Sequence, residues 1–246
     1  MKSSRWLVLL SVTLFLLTAG LYILHFIVFR DVRHIFIYML GDLAFLPVEV
    51  LLVSLIINRL LRSREQRVKL TKLNMVIGTF FSEAGSDLLR LFLHFEKDAA
   101  ALSAAVLQER DWAKKDFRRR LARLQDYRYA IDFARGDWPE LKAFLAARRE
   151  FLLSLLGNPN LLEHDKFTDL LWAVFHLTDE LVHRSDFSSL PDADQKHLAQ
   201  DLHRAFRLLT LEWLAYMQHL KSAYPYLFSL AIRTNPFDPA ASPVIR

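Results

Sequence analysis

Two apolar stretches separated by five residues fill the first quarter of this chain, and they constrain its fold more than any other feature. Trp6 to Phe29 contains no Asp, Glu, Lys or Arg. At a rise of ~1.5 Å per residue it reaches ~36 Å as a helix, enough to cross a ~30 Å hydrocarbon core with some tilt. Ile35 to Asn58 has the same length and holds only Asp42 and Glu49 among Asp, Glu, Lys and Arg, with Pro47 between them. Its apolar residues surround the whole helical circumference, which a soluble amphipathic helix does not do. Arg30-Asp31-Val32-Arg33-His34 is too short a link for anything but a helical hairpin. A cleaved signal peptide is the rival reading of the first stretch, because Lys2 and Arg5 precede it and Thr18-Ala19-Gly20 offers small residues. A signal core of ~7–15 residues is shorter than this one, and the apolar run continues past Gly20. A retained anchor is therefore expected.

The charge pattern orients the hairpin. The net charge of +5 is not spread evenly. Residues 59–72 carry Arg59, Arg62, Arg64, Arg67, Lys69 and Lys72 against Glu65, whereas the 174 residues that follow hold 22 basic and 23 acidic groups. Lys2 and Arg5 lie before the first span, and Arg30 and Arg33 lie in the link. The positive-inside rule then places both termini in the cytoplasm and makes the chain a multi-pass protein of the cell inner membrane. The basic run is expected to contact anionic lipid headgroups, at ~1 kcal/mol per near-surface charge. Nucleic-acid binding would need its basic surface in the soluble part. The one dense run there, Arg118-Arg119-Arg120, is diluted by Asp111, Asp116 and Asp126, so no nucleic-acid partner is expected.

Ionisable groups inside a span cost ~2.5–3.5 kcal/mol each on insertion scales and call for a reason. Asp42 and Glu49 are seven residues apart, hence on one helix face with an offset of ~20°, and Tyr38 shares that stripe. In the first span Ser11, Thr18, Tyr22 and His25 also share a face. Folding the hairpin about Val32 brings Asp42 level with Tyr22 and Glu49 level with Phe15, so the two polar stripes are expected to face each other within a hairpin or between protomers. Helix association by hydrogen bonds is one reading of them. A proton or cation path along an oligomer axis is the other, and two spans alone do not enclose a pore.

The remainder reads as an all-α fold: a basic juxtamembrane connecting helix over 59–85, a cytoplasmic helical bundle over 86–234 and a flexible tail over 235–246. Gly is scarce, with 6 in 246 residues, and no two-residue alternation or Asn-Gly hairpin signal occurs. Leu70, Leu73, Ile77, Phe80, Ala84 and Leu88 form a seam suited to coiled-coil pairing or to docking on the rest of the domain. Helices are expected from Ser86 to Leu107 with a break near Asp98, and from Glu109 to Arg135 with Gly136 ending it. Asp137 then caps a helix that runs to Gly157, with Pro139 in its first turn and Glu140 at the capping-box position. Two more are expected, from about Glu163 to Arg184 and from Pro191 to Tyr224, the latter stopped by Pro225.

Chemistry has little motif support. The chain has no cysteine, which removes disulfides, thiol nucleophiles and cysteine-ligated metals. There is no Gly-rich phosphate loop, His-Glu-x-x-His or Gly-x-Ser-x-Gly. His176, Asp179, Glu180 and His183 include a Glu-x-x-His, the spacing of di-metal bundles. His176, Glu180 and His183 are thus the metal-ligand candidates. The helical wheel opposes a buried site, because Phe167, Leu170, Leu171, Val174, Leu177 and Leu181 take the opposite face. Intrahelical ion pairs on a solvated face are the expectation, and no cofactor is expected. Glu212 with His219, and Asp201 beside His203, are weaker pairings. Tyr224-Pro225-Tyr226-Leu227-Phe228 belongs to a greasy segment read as core, with a membrane-interface or partner-groove role as the alternative.

The segments Leu73-Asn74-Met75-Val76-Ile77-Gly78-Thr79-Phe80-Phe81-Ser82-Glu83, Gly41-Asp42-Leu43-Ala44-Phe45-Leu46-Pro47-Val48-Glu49 and Tyr224 to Phe228 resemble a family of uncharacterised bacterial two-span integral membrane proteins with a cytoplasmic helical domain. The resemblance brings no activity; it implies that Asp42 and Glu49 belong to a recurring pattern. Together these readings point to a non-enzymatic, membrane-anchored interaction or regulatory protein that self-associates through its spans and binds an unidentified protein partner. A small oligomeric ion or proton channel using Asp42 and Glu49, and a metal-binding helical-bundle oxidoreductase, are the alternatives.

Overall fold

The computed structural model of the protein describes residues 2–107, 112–159, 161 and 164–245, and the side chains of all of these except 2–5 and 67–71. Among the described residues the chain is all-helical, with one isolated antiparallel bridge between Glu96 and Ile131 and no strand. It divides into two compact units, Met1–Gln66 and Arg67–Arg246.

The first unit holds α1 (Lys2–Phe29) and most of α2 (Val32–Phe80). Arg30 breaks the run by adopting a positive φ of 49°, and Asp31 restarts it by accepting a hydrogen bond from the Arg33 N–H at 2.9 Å. Two segments, Trp6–Phe29 and Val32–Gln66, are long and apolar enough to cross a membrane, and none of their apolar side chains is buried. The second helix continues past the expected span of 35–58 through the basic run, as expected of a connecting helix.

Among its described residues the second unit has a single apolar core. The seam at the end of α2 docks there: Leu73, Ile77, Phe80, Ala84 and Leu88 are all buried. Residues 59–85 are therefore not only a connecting helix, since their last part belongs to the bundle. Leu70 lies outside the described side chains. A π-turn at Phe81–Gly85 follows α2, and the extra residue puts Phe80 and Phe81 inside together. Their rings meet Phe167 at 5.3 Å and Trp213 at 5.2 Å. Gly85 permits this, because a Cβ there would come within 2.7 Å of both rings.

Next come α3 (Ser86–Leu93) and α4 (Ala99–Val106), separated near Asp98 as expected, with the Asp98 carboxylate capping α4 through the Ala101 N–H. The long helix expected from Glu109 to Arg135 is shorter. Glu109 lies outside the described residues, α5 spans Lys114–Gln125, and Tyr127 to Arg135 is irregular. The reason is a competing set of backbone partners. Buried Glu96 accepts the Ala130 N–H with both carboxylate oxygens, the Lys97 N–H donates to Ala130 O at 2.9 Å, and the Asp132 N–H donates to Phe95 O at 2.8 Å.

Asp137 caps the following helix through the Glu140 N–H at 2.8 Å, as its spacing implies. That helix is divided at Arg148 into α6 (Trp138–Ala147) and α7 (Arg149–Leu156). Finally α8 (Asp165–Val182), α9 (Asp192–Ala223) and α10 (Pro225–Arg233) complete the unit; Glu163 lies outside the described residues. α9 is central. Leu198, Leu202, Phe206, Leu209, Trp213, Met217 and Leu220 recur at helical spacing and are all buried. Pro225 ends α9 by forcing Tyr224 out of helical geometry. The expected tail starts inside the core rather than outside it: Phe237 is fully buried and Asn235 nearly so, while Arg90 donates to Thr234 O at 2.9 Å.

Candidate functional site

α8 and α9 lie side by side, joined by residues 183–191, and their cross-links show them antiparallel. Arg184 near the end of α8 reaches Asp194 near the start of α9, and His176 further back meets Asp201 further on. Each helix carries a His and a carboxylate one turn apart. His176 and Glu180 come from α8, and His197 and Asp201 from α9. The i,i+4 spacing stacks each pair on one face, and the antiparallel packing turns the two faces toward each other.

One ligating atom from each of these four residues lies within 4.8 Å of the other three. Both Nε2 atoms, of His176 and of His197, are 3.3 Å from Asp201 Oδ2. They lie 3.9 and 3.7 Å, respectively, from Glu180 Oε1. Asp201 is only 3% exposed, and its Oδ2 makes no hydrogen bond despite the two close nitrogens. The two imidazoles are about half exposed, so the cluster is reachable from outside.

A second layer holds Glu180 in place. Arg184 donates through Nη1 to Glu180 Oε2 at 2.5 Å and grips Asp194 with Nε and Nη2 at 2.8 and 2.6 Å. The hydrogen bond from Arg184 keeps the Glu180 carboxyl below the usual carboxylate range, with burial opposing. With Oε2 engaged, Oε1 is the oxygen turned to the imidazoles. On the other side a surface recess of about 430 Å³, lined by Asp169, Trp172, Ala173, His176, Arg204 and Leu208, adjoins the cluster. Two imidazole nitrogens and two carboxylate oxygens converging from two helices are able to hold a metal ion.

The structure treats the expected site residues unequally. His176 and Glu180 belong to the cluster. His183 does not: its Nδ1 lies 2.7 Å from Asp179 O of its own helix, and the ring is exposed. The face expected to be solvated is partly covered by α9, which supplies the buried Asp201. Sequence reading missed His197, although a signal was present. Folding α8 onto α9 about residue 187 brings His176 level with residue 198, and a second His-x-x-x-acid pair sits there.

In the first unit the structure brings together His25 and His34, with Nε2 and Nδ1 3.3 Å apart beside the Arg30 break. Tyr22, Tyr38, Asp42 and Glu49 are exposed, and Thr18 donates to Leu14 O of its own helix at 3.0 Å. The described side-chain contacts between α1 and α2 lie at the junction. Arg59, Arg62, Arg64 and Lys72 are exposed, and the side chains of Arg67 and Lys69 lie outside the described residues. Glu212 and His219 do not form a site: Glu212 is buried among core residues, and His219 lines a separate recess with Asn74, Glu83 and Tyr224. On α10 Phe228 faces the core, while Tyr226 is 71% exposed.

Comparison with known proteins gives matches along most of the chain. Residues 2–61 match the family described as MJ1433, N-terminal helical domain, and residues 69–233 match that described as Uncharacterized protein MJ1433, C-terminal helical domain. The Uncharacterized protein MJ1433 of Methanocaldococcus jannaschii is 44% identical over 238 residues, covering 97% of this chain and 96% of its own length. That relative is archaeal, whereas the sequence resemblance pointed to a bacterial family. No solved structure matches the chain.

Proposed function

The chain belongs to the MJ1433 family through both its N-terminal and its C-terminal helical domain, and we propose that it is a membrane-anchored interaction or regulatory protein without an enzymatic role. The observation that carries this reading is the exposure of the first unit. Phe15 is 74% exposed, Leu40 67%, and their apolar neighbours follow suit along two helices of membrane-crossing length. A water-soluble surface does not sustain a greasy area of that extent. A bilayer covers it, and the basic run from Arg59 to Lys72 then rests against anionic headgroups on the cytoplasmic side. This gives a multi-pass inner-membrane protein with both termini in the cytoplasm.

Asp42 and Glu49 support self-association through the spans. Both lie on one face of α2 and are exposed, so in lipid a second copy of the chain supplies their partner. The second unit, with its own core, is the surface offered to a protein partner. Gentle detergent extraction followed by size analysis tests both statements. Wild type is expected to run as an oligomer or with bound partners, and a lone monodisperse monomer contradicts the proposal. The same exposed carboxylates favour one further reading, an oligomeric channel or proton-coupled element. Reconstituted liposomes distinguish it: ion or proton flux that Asp42→Asn and Glu49→Gln reduce supports a channel, and equal flux in wild type and the double variant rejects it.

A further inference from the structure

We propose that His176, Glu180, His197 and Asp201 form a mononuclear site for a divalent transition-metal ion of the zinc type, held between α8 and α9. The site is independent of membrane anchoring and stands or falls separately from it.

Three observations carry the inference. The first is the donor set. Two imidazole nitrogens with two carboxylate oxygens suit zinc and its first-row neighbours, whereas calcium and magnesium ask for oxygen-rich shells. The second is the spacing. Metal–ligand bonds of ~2.0–2.1 Å in a tetrahedron put adjacent ligand atoms ~3.3–3.4 Å apart. The His176–Asp201 and His197–Asp201 separations are both 3.3 Å, which already equals such an edge. The Glu180 separations of 3.9 and 3.7 Å need only a small side-chain adjustment to reach it.

The third is the state of Asp201. A carboxylate 3% exposed whose Oδ2 accepts no hydrogen bond is costly to bury. The nearest guanidinium, Arg204, stands 3.7 Å from the other oxygen, and Arg184 is already engaged by Glu180 and Asp194. A cation at the point where both Nε2 atoms converge supplies what Oδ2 lacks. Arg184 then acts as a positioning residue, fixing Glu180 through Oε2 so that Oε1 is free to ligate. The adjoining recess leaves a route for the ion to enter.

The test uses the full chain in detergent, produced without a polyhistidine tag, stripped with a chelator and titrated calorimetrically with Zn²⁺. One ion per chain is expected, with at least a tenfold loss of affinity in His176→Ala and in His197→Ala. Both imidazoles are half exposed, so these variants are expected to keep the wild-type circular dichroism. Arg184→Gln is expected to weaken binding by about tenfold. His183→Ala, on the same helix but outside the cluster, is expected to bind as wild type, and Mg²⁺ not to compete. Co²⁺ added to the stripped wild-type chain gives a readout free of any folding question, with visible absorption bands of tetrahedral coordination expected. The proposal is overturned by any of three results: no saturable binding near one ion per chain, equal losses in His183→Ala and His176→Ala, or six-coordinate Co²⁺ spectra like those of the free ion.

Discussion

Glu212 lies on α9 with only 5% of its surface exposed, and burial pushes its carboxyl up to about 7 from an ordinary value of 4.5. In the unfolded chain the group ionises near its ordinary value. Between pH ~4.5 and ~7 the folded state therefore keeps a proton that the unfolded state has lost, and stability falls as pH rises across that window. The contribution is on the order of 3 kcal/mol at full extent, from ~1.4 kcal/mol per pH unit. Denaturant melts of wild type and Glu212→Gln between pH 4.5 and 8 check this: the variant is expected to show the flatter profile, and parallel profiles would remove Glu212 as the cause. Gly136 is the second residue with a sharp consequence. A Cβ there would sit 2.4 Å from the ring of Phe95, which is 1% exposed and has no room to retreat. Gly136→Ala is expected to cost about 1–3 kcal/mol by overpacking, read as a shift in the denaturation midpoint at unchanged slope.

At the scale of elements, α9 organises the second unit. Phe206 meets Phe92 at 5.7 Å and Tyr129 at 5.2 Å and is fully buried. Phe206→Ala is expected to cost about 3–5 kcal/mol, whereas Trp172→Ala, at 57% exposure, is expected to change thermal stability little. The helices legible in the sequence were those with both a periodic apolar face and a chemical stop. α9 ends at Pro225, α6 begins at the Asp137 cap, and the seam from Leu73 to Leu88 docks where its spacing allows. The misread helix had a period but a hidden competitor. Phe117, Leu121, Leu124, Tyr127 and Ile131 keep helical spacing, yet Glu96, 34 residues before Ala130, captures that residue's N–H and holds the segment irregular. No local pattern reveals such a long-range partner. The candidate metal cluster was half legible for the same reason: His176 and Glu180 are visible on one wheel, but Asp201 and His197 join only when α8 packs on α9. The Glu-x-x-His spacing pairs Glu180 with His183, whose ring turns to its own backbone and lies outside the cluster.

The whole molecule divides its chemistry between two units. The first exposes apolar side chains along two helices, and the second buries its own in one core. The excess of Lys and Arg over Asp and Glu lies within residues 1–72, a stretch that runs past the boundary between the units, and the rest is nearly balanced. That asymmetry sets the expected topology, and the absence of cysteine from the sequence makes it directly measurable. Single cysteines introduced as Ser4→Cys, Val32→Cys, Ser63→Cys and Ser242→Cys, labelled in intact cells with a membrane-impermeant maleimide, report which side each position occupies. Two spans with a cytoplasmic bundle predict labelling of position 32 alone, with positions 4, 63 and 242 reacting only after permeabilisation. Labelling of position 4 and position 242 on opposite faces would contradict that topology, and release of the intact chain by an alkaline carbonate wash would contradict membrane insertion itself.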